Sequence, residues 1–473
     1  MVRMGGCSLE LGRPDSYMVR CRDRVQGSVA DSVLVQEKGG SRPCGQSLES
    51  RLTETTSKWE ILTVAIAIHS RPVESDSSRL VGRLPWATMI CGVVGFTTPF
   101  TVQAAGNFPV AEGFLLFAAI ASVAIRVIRH RWPDGASRTR AFTTLIVLQI
   151  IGLGAYVVSD IYRDSAPVDY LRGWARMAFV GIDIIGLAFL VGSSWRRFVV
   201  IIAGWAFGQV ACALIFGPLF DDWWKFGFAE PVTFLALIAV GRKNRLPAAI
   251  VAIALGILHI LLEFRSLGLE CLMVAISLYL IRLPRLWRFA AVFAVLAAIG
   301  LALSGLFDER VQKGISKHLS DAERRAMMEV AAESFADSPI IGQGSWFSTG
   351  EMRRRIEERY IALSETFNGY TEEQEHDLAI HSQLLTALAE GGIFGASFFI
   401  AYGFLLMWAL AYCLRSTRPQ QAIVLMILIE GLWNLAIAPF SGPARVQIAA
   451  AAVLCLLLWQ QARGRVRWED KRN

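Results

Sequence analysis

An all-helical integral membrane protein is the fold class this sequence predicts, and three observations carry it. Apolar stretches near membrane-spanning length recur from Leu84 to Gln460, Lys and Arg concentrate in alternate connections between them, and one large polar insert, 307–382, interrupts the series. The chain has 473 residues, 54% of them apolar, and a mean hydropathy of +0.44, too apolar for a protein that folds in water. A lipid-crossing segment must satisfy its own backbone hydrogen bonds, so the stretches are read as helices rather than open sheet.

Residues 1–83 come first and do not match the rest. They are rich in Ser, Arg, Gly and Glu, and the apolar run Trp59 to Ile68 is too short to span. No basic segment runs directly into an apolar core and a small-residue cleavage site, so no signal peptide is expected. A disordered cytoplasmic extension, or an upstream start not used in the cell, is the expectation. About twelve spans follow, at 84–101, 111–128, 141–162, 169–192, 198–216, 228–240, 247–262, 267–281, 289–306, 383–413, 421–439 and 446–460. A helix needs roughly 20 residues to cross the hydrocarbon core, and most of the twelve come close. The organisation expected is spans 1–9 over 84–306, a helical loop domain over 307–382, spans 10–12 over 383–461 and a basic tail over 462–473.

Charge orients these spans. The segments 125–140, 193–197, 241–247, 282–288, 414–421 and 462–473 hold 20 Lys and Arg, whereas the alternate connections hold 5. Cytoplasmic loops retain positive charge, which places the first set and both termini inside and the loop 307–382 outside. The net charge of +7 sits mostly in these inner loops and calls for no nucleic-acid partner. Eight cysteines are scattered without a metal-ligand or disulfide spacing.

The outer loop opens on Ser320-Asp321-Ala322-Glu323, a capping box that predicts a helix running to about Asp337. Met328, Ala331 and Phe335 are read as its apolar stripe, with Arg324 on the same face. In Pro339-Ile340-Ile341-Gly342-Gln343-Gly344, Gly342 and Gly344 allow a tight turn with exposed backbone N–H groups, a weak signal for phosphate. A second box at Ser348-Thr349-Gly350-Glu351 predicts a charged, solvated helix to about Thr366. The acidic run Glu372 to Asp377 surrounds His376 and makes it a poor base. His381 stands at the start of the tenth span, where an imidazole is suited to take a proton. An interfacial histidine bonded to a backbone carbonyl is the plainer alternative.

Arginines that break the charge rule point to a ligand. Arg163 reads as an ordinary helix-end residue. Arg265 lies in a turn too short to leave the bilayer surface, Arg172 and Arg176 share a face at i, i+4, and Arg445 is also on the outer side. Arg265 pairing with Glu263 or Glu270 is the plainer alternative there. Guanidinium suits bidentate contact with phosphate oxygens. A lipid-linked diphosphate would lie at this depth, and its departure would build charge that the arginines stabilise. With a histidine to deprotonate an acceptor hydroxyl, the constellation suits glycosyl transfer. Asp221-Asp222 could suggest a metal, but Trp223 and Trp224 beside them read as an interfacial aromatic belt. No metal or cofactor is expected.

Over roughly 84–460 these residues resemble the O-antigen ligase and polymerase superfamily of bacterial inner-membrane proteins. Arg265-Ser266 resembles its Ser/Arg-type turn in reversed order. Arg324 through Gly344 resembles its Arg, aromatic, Ala, Pro-x-x-Gly-x-Gly segment, with Met328 in place of the usual Trp. His381 through Gly395 resembles its His-Ser, apolar helix, Glu-x-Gly-x-x-Gly segment, the most specific of the three, and selects His381 over His376. The resemblance implies a GT-C-like, inverting, metal-independent glycosyltransferase. It implies an undecaprenyl-diphosphate-linked glycan as donor, a lipid or glycan hydroxyl as acceptor and surrounding membrane lipids. It makes His381 the general base and Arg265 and Arg324 the diphosphate ligands. Arg172, Arg176 and Arg445, with Gly342 and Gly344, are further substrate-binding candidates from the charge and turn arguments. A ligase acting on lipid A–core is favoured over a polymerase of O-antigen, capsule or exopolysaccharide. A transporter or flippase is a distant alternative, since no internal repeat is visible.

Overall fold

Helix after helix is built from Leu, Ile, Val, Ala and Phe, with glycines inside them where neighbouring helices come close. The computed structural model describes residues 84–103, 107–130, 132, 137, 139–192, 194–217, 222–241, 245–280, 315–345, 350–363, 380–415, 420–440 and 442–463. Helix α1 is Leu84–Thr97, and a two-stranded antiparallel hairpin follows, β1 Thr101–Gln103 against β2 Asn107–Pro109, with Val102 opposite Phe108. Then come α2 Val110–Arg129, α3 Arg140–Arg163, α4 Pro167–Val191 and α5 Trp195–Phe216. A π-helical turn at Trp224–Phe228 leads into α6 Ala229–Val240, followed by α7 Arg245–Leu261 and α8 Arg265–Leu280. The polar insert supplies α9 Ile315–Asp337 and α10 Gly350–Leu363. The chain closes with α11 Gln383–Gly395, α12 Ser397–Cys413, α13 Gln421–Ile437 and α14 Gly442–Ala462.

Helices α13 and α14 form the centre. The most apolar stretch of α14 is 94% buried, and its run Ile448 to Val453 puts four alanines where neighbours approach closely. Helices α4, α12 and α13 pack on it. Helices α2 and α3 lie outside, with Phe117, Ile120, Ile150 and Ile161 exposed as a lipid-facing surface would require. Helices α1 and α5 approach backbone to backbone: a Cβ at Gly208 would sit on the carbonyl of Phe96.

Five described helices are long and apolar enough to cross a membrane: Val110–Arg129, Arg140–Arg163, Pro167–Val191, Trp195–Phe216 and Pro443–Ala462. The chain is thus an almost wholly helical membrane protein, with five such helices among the described residues, or six if a bent pair counts as one. The expected spans at 84–101, 228–240, 247–262, 267–281 and 421–439 are helices, but shorter than a full crossing. The expected span 289–306, the extension 1–83 and the run 372–377 lie outside the described residues.

Two expectations need correction. The tenth span is not one straight helix: α11 and α12 bend by 110° at a break. Gly392 causes it, with φ +64 and ψ −163, a conformation that L side chains avoid. Ser320 does not begin the loop helix either, because α9 starts at Ile315 and carries Ser320 inside it. The buried face of α9 is Met327, Val330, Ala331 and Ser334, at i, i+3, i+4, i+7, rather than the stripe through Met328 and Phe335.

Candidate functional site

The site begins where α9 docks on α11. Met327, Val330 and Ala331 of α9, Ile356 of α10, and Ile380 and Ala389 close one apolar cluster, with Leu385 against it. Burying these groups fixes the two chain segments relative to each other. Next to Ile380 stands His381, and one turn before Met327 stands Arg324. Ser382 then caps α11, its Oγ accepting from the Leu385 amide at 3.2 Å. His381 is half-buried, and burial lowers its pKa to about 4, with the nearby Arg324 guanidinium adding to the effect. The imidazole is therefore neutral at neutral pH and its lone pair is open to a proton. Arg324 is itself exposed, contrary to the expectation of a charge on the packed face.

Helix α10 is not only a solvated element. It lies against α9 through Ile356, and Tyr360 on it is also buried, with Arg355–Asp337 at 2.8 Å and Arg359–Glu333 as ion pairs between the two helices.

The glycine turn does something other than expose its amides. Gly342 and Gly344 have φ of +85 and +89, as the spacing suggested. Their N–H groups are taken, however. The Gly342 amide donates to the Ser338 carbonyl at 2.9 Å, Gln343 to Ala389 at 2.8 Å and Gly344 to Glu390 at 3.0 Å. In return Ile393 donates to the Pro339 carbonyl at 2.9 Å. A Cβ at Gly342 would meet the Glu390 carbonyl, and one at Gly392 would meet that of Ile340. The two glycine-rich segments interlock, and the turn is a docking element for α11 rather than an open phosphate cradle.

Helix α3 completes this interlock with residues the sequence did not single out. The Ser345 amide and hydroxyl donate to the two carboxylate oxygens of buried Asp160, the hydroxyl at 2.7 Å, and Trp174 Nε1 donates to Asp160 Oδ2 at 2.8 Å. Ser159 Oγ donates to the Glu390 carbonyl at 2.9 Å. Arg163 Nε donates to the Gly342 carbonyl at 3.1 Å, so this arginine is more than a helix-end residue. The spacing Ser159, Asp160, Arg163 is the one signal that was present, a polar face at the end of an apolar helix.

The remaining arginines divide by burial. Arg176 is 5% exposed, pairs with the Glu390 carboxylate and lies over the Phe440 ring at 4.7 Å. Arg445 is 8% exposed and makes a bidentate pair with Glu112 at 2.6 and 2.8 Å. Both guanidiniums are engaged by carboxylates inside the helical bundle. Arg172 is half-buried one turn before Arg176, and its Nε lacks a hydrogen-bond partner among the described residues. Arg265 is exposed at the first position of α8, a helix that packs on α13, as α11 does.

Asp221 lies outside the described residues, and the features beside it have structural roles. Asp222 caps the π-helical turn by accepting from the Lys225 amide at 2.8 Å. Trp223 is exposed as a belt residue, but Trp224 turns inward and donates from Nε1 to His259 Nδ1 at 3.2 Å. Thr233 Oγ1 donates to the Ala229 carbonyl, so it accepts from His259 Nε2 at 2.8 Å, and this histidine is fully satisfied.

Residues 248–400 match a family model described as O-antigen ligase, a stretch that contains Arg265, Arg324, both interlocked segments and His381. No curated protein matches the chain.

Proposed function

We propose, from the chain's membership of the O-antigen ligase and polymerase superfamily, that it transfers a glycan from undecaprenyl diphosphate to a hydroxyl of lipid A–core. The family places the protein in polysaccharide biosynthesis among glycosyltransferase-type enzymes. The reaction belongs to the periplasmic face of the bacterial inner membrane, with both termini cytoplasmic and α9 and α10 outside, as the asymmetry of Lys and Arg supports. A GT-C-like helical architecture is part of the same reading.

One observation carries it: a half-buried neutral histidine beside an exposed arginine, both set by the docking of α9 on α11. In the reaction His381 takes the acceptor hydroxyl proton. The acceptor oxygen bonds to the anomeric carbon as the bond from that carbon to the diphosphate oxygen breaks, inverting the centre. The leaving lipid diphosphate carries the developing charge, and Arg324 and Arg265 stabilise it, with Arg172 a further cation at the same surface. An imidazole with a pKa of about 4 is a weak base in the resting protein. A bound diphosphate offsets the Arg324 charge and raises that pKa, so the base strengthens when the donor arrives. The arrangement asks nothing of a metal ion.

The test is glycan transfer in membranes containing His381→Ala, wild type or Arg265→Ala, with protein levels matched. Loss of a general base lowers the rate by about 10²–10⁴-fold. Wild-type transfer by His381→Ala would remove the assignment. Supplying either lipid A–core or a second lipid-linked glycan as acceptor separates ligase from polymerase.

A further inference from the structure

A small cavity lies beneath the first turn of α11, where α11, α12, α13 and α14 meet. Its polar lining is Gln383, Tyr402, Glu430, Asn434 and Gln447, and the remainder is aliphatic or glycine. Gln383 is completely buried, and both ends of its amide, Oε1 and Nε2, lack a hydrogen-bond partner among the described residues. Opposite it, Gln447 Nε2 donates to Glu430 Oε1 at 2.7 Å, and Gln447 Oε1 is likewise without a partner among those residues. Buried amides in an apolar bundle are costly unless something completes their hydrogen bonds.

Size and chemistry select the occupant. The space open to the centre of a water molecule is about 10 Å³, room for about one water and too little for a sugar or a diphosphate. Gln383 Nε2 needs an acceptor, while Gln383 Oε1 and Gln447 Oε1 need donors. Water offers both, whereas a metal cation would satisfy only the oxygens. We propose that this cavity binds an ordered water that joins Gln383 to the Gln447–Glu430 pair. The water thereby ties the first turn of α11, two residues from His381, to the central helices α13 and α14. This rests on the cavity and its unpartnered amides, not on the transfer reaction.

Radiolytic footprinting of the full chain in lipid nanodiscs tests it, because bound water generates hydroxyl radicals in place. Tyr402 lines the cavity and Tyr156 does not, yet both are buried, at 1% and 0% exposure. The expected result is that Tyr402 is hydroxylated several-fold faster than Tyr156, and that Gln383→Leu brings the two rates together. Gln447→Leu gives the same readout should Gln383→Leu not yield monodisperse protein. Equal rates for the two tyrosines in the wild type would overturn the proposal. So would a Tyr402 rate that neither variant alters. Thermal stability is also compared in sodium and choline chloride. A sodium-specific gain that disappears in Gln383→Leu would likewise overturn it, in favour of a bound cation.

Discussion

Arginine appears in two settings that share a chemistry and differ in depth. In the interior, Arg445 and Arg176 are buried and hold Glu112 and Glu390. At the edge, Arg324 and Arg265 are exposed, and Arg324 acts on His381. The difference teaches that a membrane arginine is not a ligand site by being there. A buried guanidinium is matched to a carboxylate because an unpaired charge in low dielectric is prohibitive. An exposed one stays within reach of something that arrives.

Removing an interior partner should have the largest effect. Arg445→Ala leaves Glu112 uncompensated and should cost about 3–5 kcal/mol of stability, read as thermal unfolding in detergent. Arg445→Met combined with Glu112→Leu should recover most of that loss. Arg324→Ala should unfold within about 0.5 kcal/mol of wild type, as an exposed change does. If Arg324→Ala destabilises as much as Arg445→Ala, the division by depth is wrong.

The interlock comes next. Both carboxylate oxygens of Asp160 only accept, so Asp160→Asn must set an N–H₂ against a donor. The cost should be about 1–3 kcal/mol, with faster hydrogen exchange at the amides of Gln343, Gly344 and Ser345. Unchanged exchange would mean that the turn is held without Asp160.

Acidity sharpens the edge. His381 acts in its neutral form, so activity is present above its pKa and lost as pH falls through it. Arg324 helps to hold that pKa at about 4. Arg324→Gln should therefore move the acidic limb of kcat/KM to higher pH, alongside any loss in rate. A limb that stays in place would show that the two side chains are not electrostatic neighbours. The smallest effect belongs to the exposed pair Arg359–Glu333, where Glu333→Gln should change stability by about 0–1 kcal/mol and leave transfer intact.

Most helix positions were legible because hydropathy is local, and His381 at the start of α11 was legible for the same reason. Partners were not. Arg445 and Glu112 are 333 residues apart in the chain, and nothing in either segment names the other. Gly342 and Gly344 declared their backbone conformation, but whether their amides face solvent or another turn depends on α11, half a hundred residues on. The stripe of α9 was ambiguous because Met327 and Met328 are both apolar, and only the docked Ile380 and Ala389 select Met327. Arg163 and Asp160 passed as the end of a span because the acceptor of Arg163 and two of the three donors to Asp160 lie in the polar insert.

The bend at Gly392 turns α11 into a ruler. Its nine helical residues ahead of that bend, Gln383 to Gly391, measure about 13 Å at 1.5 Å each, pivoted at one end on the interlocked glycines and carrying His381 just beyond the other. One residue added between Gln383 and Ala389 would move the imidazole by about 1.5 Å along the axis and swing it by about 100°. The reach of the histidine above the pivot is thus written in the length of a helix, and a change of length there is expected to be tolerated far less than a change of side chain.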